Sequence, residues 1–204
     1  MYKRQNLSYA LAKLGQRVLC VDMDAQSNLS SCLLEDYSEA SSSTYTLLTD
    51  DKKDIRSLIK PTKLDKLHVI DSSTDIAGLE IELAQKGDWK DILKRRLDEI
   101  KSDYDFIFID SPPSLGILSI MSLAAANSVI IPIQAEYYAL EGVSKLIKTI
   151  ELVKENYNQA LTIEGVLITM FDARNNLHTE VFSEVQNFFG AKLYTCLLYT
   201  SRCV

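Results

Sequence analysis

The sequence predicts an α/β fold, a mostly parallel sheet with helices on both faces. Three observations predict it. Short apolar runs rich in β-branched and aromatic residues, such as Phe106 to Ile109, show no alternation and read as strands buried on both faces. Amphipathic helical stretches alternate with these runs along the chain, the order a parallel sheet requires. Acidic and amide residues collect where the strands end, at the carboxyl edge where such sheets bind ligands.

The elements follow in order. Asn6 to Leu14 reads as a helix with Leu7, Ala10, Leu11 and Leu14 on one face, closed by Gly15 as its C-cap. Arg17 to Met23 is a buried-type strand ending in Asp22-Met23-Asp24-Ala25-Gln26-Ser27-Asn28. Two carboxylates one residue apart on extended chain point to opposite sides, so Asp22 and Asp24 are expected to divide a structural and a ligand-facing task. Glu35 to Thr44 is Ser-rich and reads as a loop. Tyr45 to Lys60 carries short helical patterns and stops at Pro61. Leu67 to Ile70 is a short strand followed by the polar stretch Asp71 to Asp75. Ile76, Leu79 and Leu83 mark one helical face, and Trp89, Ile92, Leu93, Leu97 and Ile100 a second. After the Phe106 strand, Asp110 precedes Ser111-Pro112-Pro113-Ser114-Leu115-Gly116, where the prolines forbid helix and force an extended turn. Ile117 to Ala126 is a helix of small residues. Val129 to Pro132 is a strand ended by Gln134 and Glu136. Leu140 to Val153 is a long helix, and Ile163 to Met170 a strand followed by Asp172. Val181 to Phe189 is a helix closed by Gly190, and Lys192 to Thr195 begins another strand.

The chain has 204 residues, 47% hydrophobic and 25% charged, with a net charge of −6. These values suit one globular α/β domain and exclude a whole-surface nucleic-acid binder, while leaving room for a local basic patch. No apolar run is long enough to span a bilayer. Four cysteines show neither metal nor disulfide spacing, and the cytoplasm is the expected compartment. Met1-Tyr2-Lys3-Arg4-Gln5 and Cys196-Leu197-Leu198-Tyr199-Thr200 can be encoded by one short DNA string read in opposite orientations. Residues 1–5 and 196–204 are therefore expected to be non-native scars around a single domain at 6–195.

Carboxylates at several strand ends, with two histidines in the whole chain, suit Mg²⁺, which takes oxygen ligands and travels with phosphates. Metal-assisted phosphoryl transfer is the reaction class this favours. The 204 residues contain no G-x-x-x-x-G-K-[ST] loop, whose backbone amides would hold the phosphates.

Asn6 to Ala12 with Gly15, then Val18 to Leu29, resemble the ParA/Soj family of chromosome- and plasmid-partitioning ATPases. So do Asp110 to Gly116, Gln134 to Gly142 and Thr169 to Arg174, in the same order along the chain. The resemblance implies a P-loop NTPase-type fold lacking the first strand and the K-G-G-x-G-K-[ST] loop, which in that family precede the segment matching Asn6. It implies Mg-dependent ATP hydrolysis, with Asp24 positioning the attacking water and Asp22 as a supporting carboxylate near the phosphates. Asp110 would hold Mg²⁺ through water, and Pro112-Pro113 would shape a segment that senses the γ-phosphate. Ala25 stands where the family more often has Pro.

By the same resemblance the intact protein would form an ATP-bridged homodimer, bind DNA non-specifically at the nucleoid, and answer to a ParB-like stimulating partner, with no membrane role. A MinD-like membrane-positioning ATPase and a non-catalytic nucleotide-sensing regulator on the same fold are the alternatives. A chain without an interior strand exposes two rows of unpaired backbone groups. The fragment as written is therefore expected to fold poorly and not to hydrolyse ATP.

Overall fold

The computed structural model describes residues 3–38, 43–136, 139–194 and 198–199. The chain packs as two compact units, Met1–Ala125 and Ala126–Val204.

The first unit contains α1 (Lys3–Lys13), β1 (Val18–Asp22), α2 (Asn28–Leu33), α3 (Ser43–Thr49), β2 (Lys60–Pro61) and β3 (Leu67–Ile70). It continues with α4 (Ile76–Ala84), α5 (Trp89–Asp98), β4 (Phe106–Asp110) and α6 (Ile117–Ala125). Its sheet runs β2-β3-β1-β4, with β1 parallel to both β3 and β4 and the short β2 antiparallel at one edge. Strand β1 is wholly buried and alternates between two cores. Leu19 and Val21 join Leu47, Leu79, Leu93 and Met121 from α3, α4, α5 and α6. Val18 and Cys20 join Ala12 of α1 and Leu29 and Leu33 of α2. Helices thus cover both faces, as the alternating pattern predicts. Gly15, at φ +92°, makes the left-handed turn that ends α1 and feeds β1, a conformation glycine adopts without steric cost. Arg17 ties the starts of β1 and β4 together: its amide donates to Asp105 Oδ2 at 2.7 Å and its guanidinium to Oδ1 at 2.9 Å.

The second unit contains β5 (Ser128–Gln134), α7 (Ala139–Asn156), β6 (Thr162–Phe171), α8 (Asn176–Phe189) and β7 (Leu198–Tyr199), with a parallel sheet in the order β5-β6-β7. Asn175 caps α8 by accepting from Leu177 N at 3.0 Å, and Gly190, at φ +53°, closes it.

Several expectations need correction. Strand β4 is not buried on both faces: Phe106 is 42% exposed, and the next three residues are half-buried. The reason is its place at the edge of its sheet, with a strand neighbour on one side. The described strands form two sheets, and none of them joins β4 to β5, in keeping with a chain that lacks an interior strand. Helix α2, which the polar reading of Asn28 onward did not foresee, follows β1, and α3 starts inside the expected loop. Lys192 lies in a 3-10 turn (Gly190–Lys192), and Leu193 makes one isolated bridge to Val166. The expected scar at 196–204 falls outside the described residues except for β7.

Candidate functional site at the strand ends

Parallel register brings the carboxyl ends of three strands together in the first unit. Asp22 pairs with Asp110 across β1 and β4, while Val21 pairs with Ile70, the residue before Asp71. Three aspartates thus stand in a row at the carboxyl edge, the position where open α/β sheets bind ligands. The chain leaves β1 by donating Met23 N–H to the Asp110 carbonyl at 2.9 Å, which sets Asp24 one residue beyond that bond.

The three strand-end carboxylates are engaged differently. Asp22 is fully buried, and its oxygens turn inward. Oδ2 accepts from Ser30 N–H at 2.9 Å and from Ser30 Oγ at 2.6 Å, and Oδ1 accepts from Asp24 N–H at 3.1 Å. Burial pushes its pKa up, and the Ser30 bonds pull against that shift. Thr44 Oγ1 donates to the Asp22 carbonyl at 2.9 Å, and Ser72 N–H donates to Ser30 Oγ at 2.9 Å. Asp22 therefore fixes the loop after β1 from inside, as a positioning carboxylate. Asp71, also buried, pairs with Lys60 at 2.8 Å.

Asp24 is half-buried, and its Oδ1 accepts from Gln26 N–H at 3.0 Å, closing the turn that leads to α2. Ser27 at the start of α2 sits at φ 51°, ψ 31°, a left-handed conformation that costs an L-residue energy and recurs at functional turns. Asp110 is 8% exposed. After it, Pro112 is half-buried and Pro113 exposed, and the turn is tied down by Ser119 of α6. Ser119 Oγ donates to the Pro112 carbonyl at 3.2 Å, lies 3.2 Å from Ser111 Oγ, and contacts the Ser114 carbonyl.

Ser30, Thr44 and Ser119 organise this edge and were not singled out from sequence. Their one signal is a small polar residue inside an otherwise apolar helical face, as at Leu29-Ser30 and Leu118-Ser119. Among the described residues no three His, Cys, Asp or Glu side chains cluster as a cation cage. A Mg²⁺ that keeps phosphate oxygens and water as its other ligands would need one protein carboxylate rather than a cage, and Asp110 stands in this row at the end of β4. In the second unit, Gln134 and Asp172 also fall at strand ends, but Asp172 is clasped by Arg174 at 2.7 Å.

Comparison with known proteins identifies the family. The AAA domain family matches residues 3–163. The sporulation initiation inhibitor protein Soj of Bacillus subtilis is 46% identical over 193 residues, covering 95% of this chain and 76% of that protein. The chromosome partitioning protein ParA of Myxococcus xanthus is 42% identical over 193 residues, covering 95% and 68%. The structure of cobyrinic acid a,c-diamide synthase from Mycobacterium smegmatis, with bound ADP and magnesium, superposes with a TM-score of 0.85 at 30% identity, covering 95% of this chain and 78% of that one. With its P-loop NTPase-type fold and its strand-end aspartates, the chain belongs to the ParA/Soj family of partitioning ATPases.

Proposed function

We propose that the intact protein is a Mg-dependent ATP hydrolase that works in chromosome or plasmid partitioning. It dimerises around ATP, binds DNA non-specifically at the nucleoid within the cytoplasm, and releases it when a ParB-like partner stimulates hydrolysis. The observation that carries this reading is the register of Asp22 with Asp110 on adjacent parallel strands, with Asp24 one residue past the Met23–Asp110 bond. Asp110 holds Mg²⁺ through water. Asp24 positions the attacking water, and Asp22 supports both by fixing the loop. Pro112 and Pro113 hold the turn that meets the γ-phosphate. ADP and magnesium bound to the Mycobacterium smegmatis relative support the choice of ligand.

The 204 residues hold no phosphate-binding loop, so the chain as written does not turn over ATP. The test is MgATP hydrolysis by the chain alone and by the chain extended at its N-terminus with the strand and loop of the Bacillus subtilis relative. Turnover is expected only in the extended protein, and D24A and D110A are each expected to abolish it. Full turnover by the extended D24A and D110A variants would overturn the assignment.

A further inference from the structure

The turn that carries Pro112 and Pro113 is held from two sides. Ser119 holds it from within α6, as described above. The second support comes from α4. Glu80 Oε1 accepts from Leu118 N–H at 3.3 Å, in the first turn of α6, where the amides have no partner within the helix. The same carboxylate fills the space beside the Gly116 Cα. A Cβ built on Gly116 would lie 2.9 Å from Glu80 Cδ and from Oε2, and closer still to Oε1, so a side chain there would displace the carboxylate from Leu118 N–H. Gly116 has no positive φ, so what a side chain there would disturb is the placement of the Glu80 carboxylate and not the dihedral.

We propose that Glu80 is a positioning residue that latches the Ser111–Gly116 turn onto α4, with Gly116 as the notch that receives it. Helix α4 begins just past Asp75, on the segment leaving the β3 end. The latch therefore ties the turn after β4 to the helix that follows β3, two strands separated by β1 in the sheet, and movement of the Pro112-Pro113 turn requires release of Glu80. That this turn answers to a γ-phosphate rests on the function proposed above. The latch itself does not, and its test uses no nucleotide.

The test is amide hydrogen exchange on the whole chain, followed by peptide, comparing residues 111–120 with β1 residues 18–22 as an internal reference. E80A is expected to speed exchange in 111–120 about tenfold or more while β1 stays as in wild type. E80Q keeps an acceptor for Leu118 N–H and is expected to restore most of the protection. G116A is expected to loosen the same segment in the Glu80 background and to add little in E80A, because the clash is with that carboxylate. Unchanged exchange in E80A, E80Q as loose as E80A, or equal effects of G116A in both backgrounds would each overturn the latch. Should E80A fail to fold, E80Q and G116A decide alone: wild-type exchange in E80Q with a loosened G116A supports it, and the reverse pattern overturns it.

Discussion

Ser30 donates both its amide and its hydroxyl to one oxygen of the buried Asp22, at 2.9 and 2.6 Å. This double bond from the start of α2 to the end of β1 makes an aspartate tolerable at a position with no solvent exposure. It also fixes where the chain goes after the strand, because Asp24 N–H bonds to the other oxygen. S30A is expected to lower unfolding stability by about 2 kcal/mol, the range for a hydrogen bond to a buried charge. The sign of its pH dependence follows from Asp22. Burial raises that carboxyl's folded pKa, so its own contribution favours the fold below the unfolded value of about 3.9 and is lost as pH rises through the folded pKa. Removing Ser30 raises it further, so the S30A penalty should grow from acid to neutral pH. Urea melts at several pH values measure this, and a penalty independent of pH would contradict it.

Ser27 holds φ 51° without a capping hydrogen bond from its side chain to α2. A left-handed L-residue costs about 1–2 kcal/mol, while glycine loses about 0.5–1 kcal/mol more backbone entropy on folding. S27G is therefore expected to leave stability unchanged or raise it by up to about 1 kcal/mol. S27V, β-branched and strained at this dihedral, should lower it. Thermal melts of the two variants against wild type check the pair, and a destabilised S27G would show that the Ser27 hydroxyl matters more than its backbone.

Cys20 is 1% exposed in the centre of β1, and burial pushes its thiol pKa up to about 11. Cys32 in α2 is exposed. Only thiolates alkylate quickly, so iodoacetamide at pH 8 should label Cys32 and spare Cys20 until the chain unfolds. Peptide mapping of labelled protein, native and in denaturant, reads this directly. Labelling of Cys20 under native conditions would mean that the first unit opens.

The legible parts of the fold are those written in local pattern. Phe106–Ile109 could be read from its unbroken apolar run, Leu67–Ile70 from an apolar stretch broken only by His68, and Ile76–Ala84 and Ile117–Ala125 from helical spacing. The α2 segment was not, because Asn28-Leu29-Ser30-Ser31 has the composition of a turn, and its helix is held by tertiary bonds to Asp22. Exposure of Phe106 was not legible either: a parallel-type run reads as doubly buried whether its strand ends up in the middle of a sheet or at its rim. At the site, the acidic strand ends and a split of tasks between Asp22 and Asp24 could be read, but the partners that turn a carboxylate inward could not. Whether a strand-end aspartate faces inward depends on partners in other elements, such as Lys60 of β2 for Asp71 and Ser30 of α2 for Asp22.

Asp172 in the second unit is held instead by a partner two residues on, and it gives the last prediction. Its Oδ1 accepts from Arg174 N at 3.0 Å and Nε at 2.9 Å, and its Oδ2 from the Arg174 Nη2 at 2.7 Å. This clasp holds the carboxyl well below the usual carboxylate range. A depressed folded pKa favours the fold above the unfolded value of about 3.9, and that contribution is lost as pH falls toward the folded pKa. The Arg174 side chain is 86% exposed, so salt should weaken the effect. Carboxyl NMR titration of Asp172 is expected to give a midpoint below that of an ordinary aspartate in wild type. The midpoint should return to the ordinary range in R174A and fall between the two in R174K, which keeps the charge but loses the forked geometry. Added salt should raise the wild-type midpoint and leave R174A nearly fixed. A midpoint that does not move in R174A would show that Asp172 is held down by something other than this arginine.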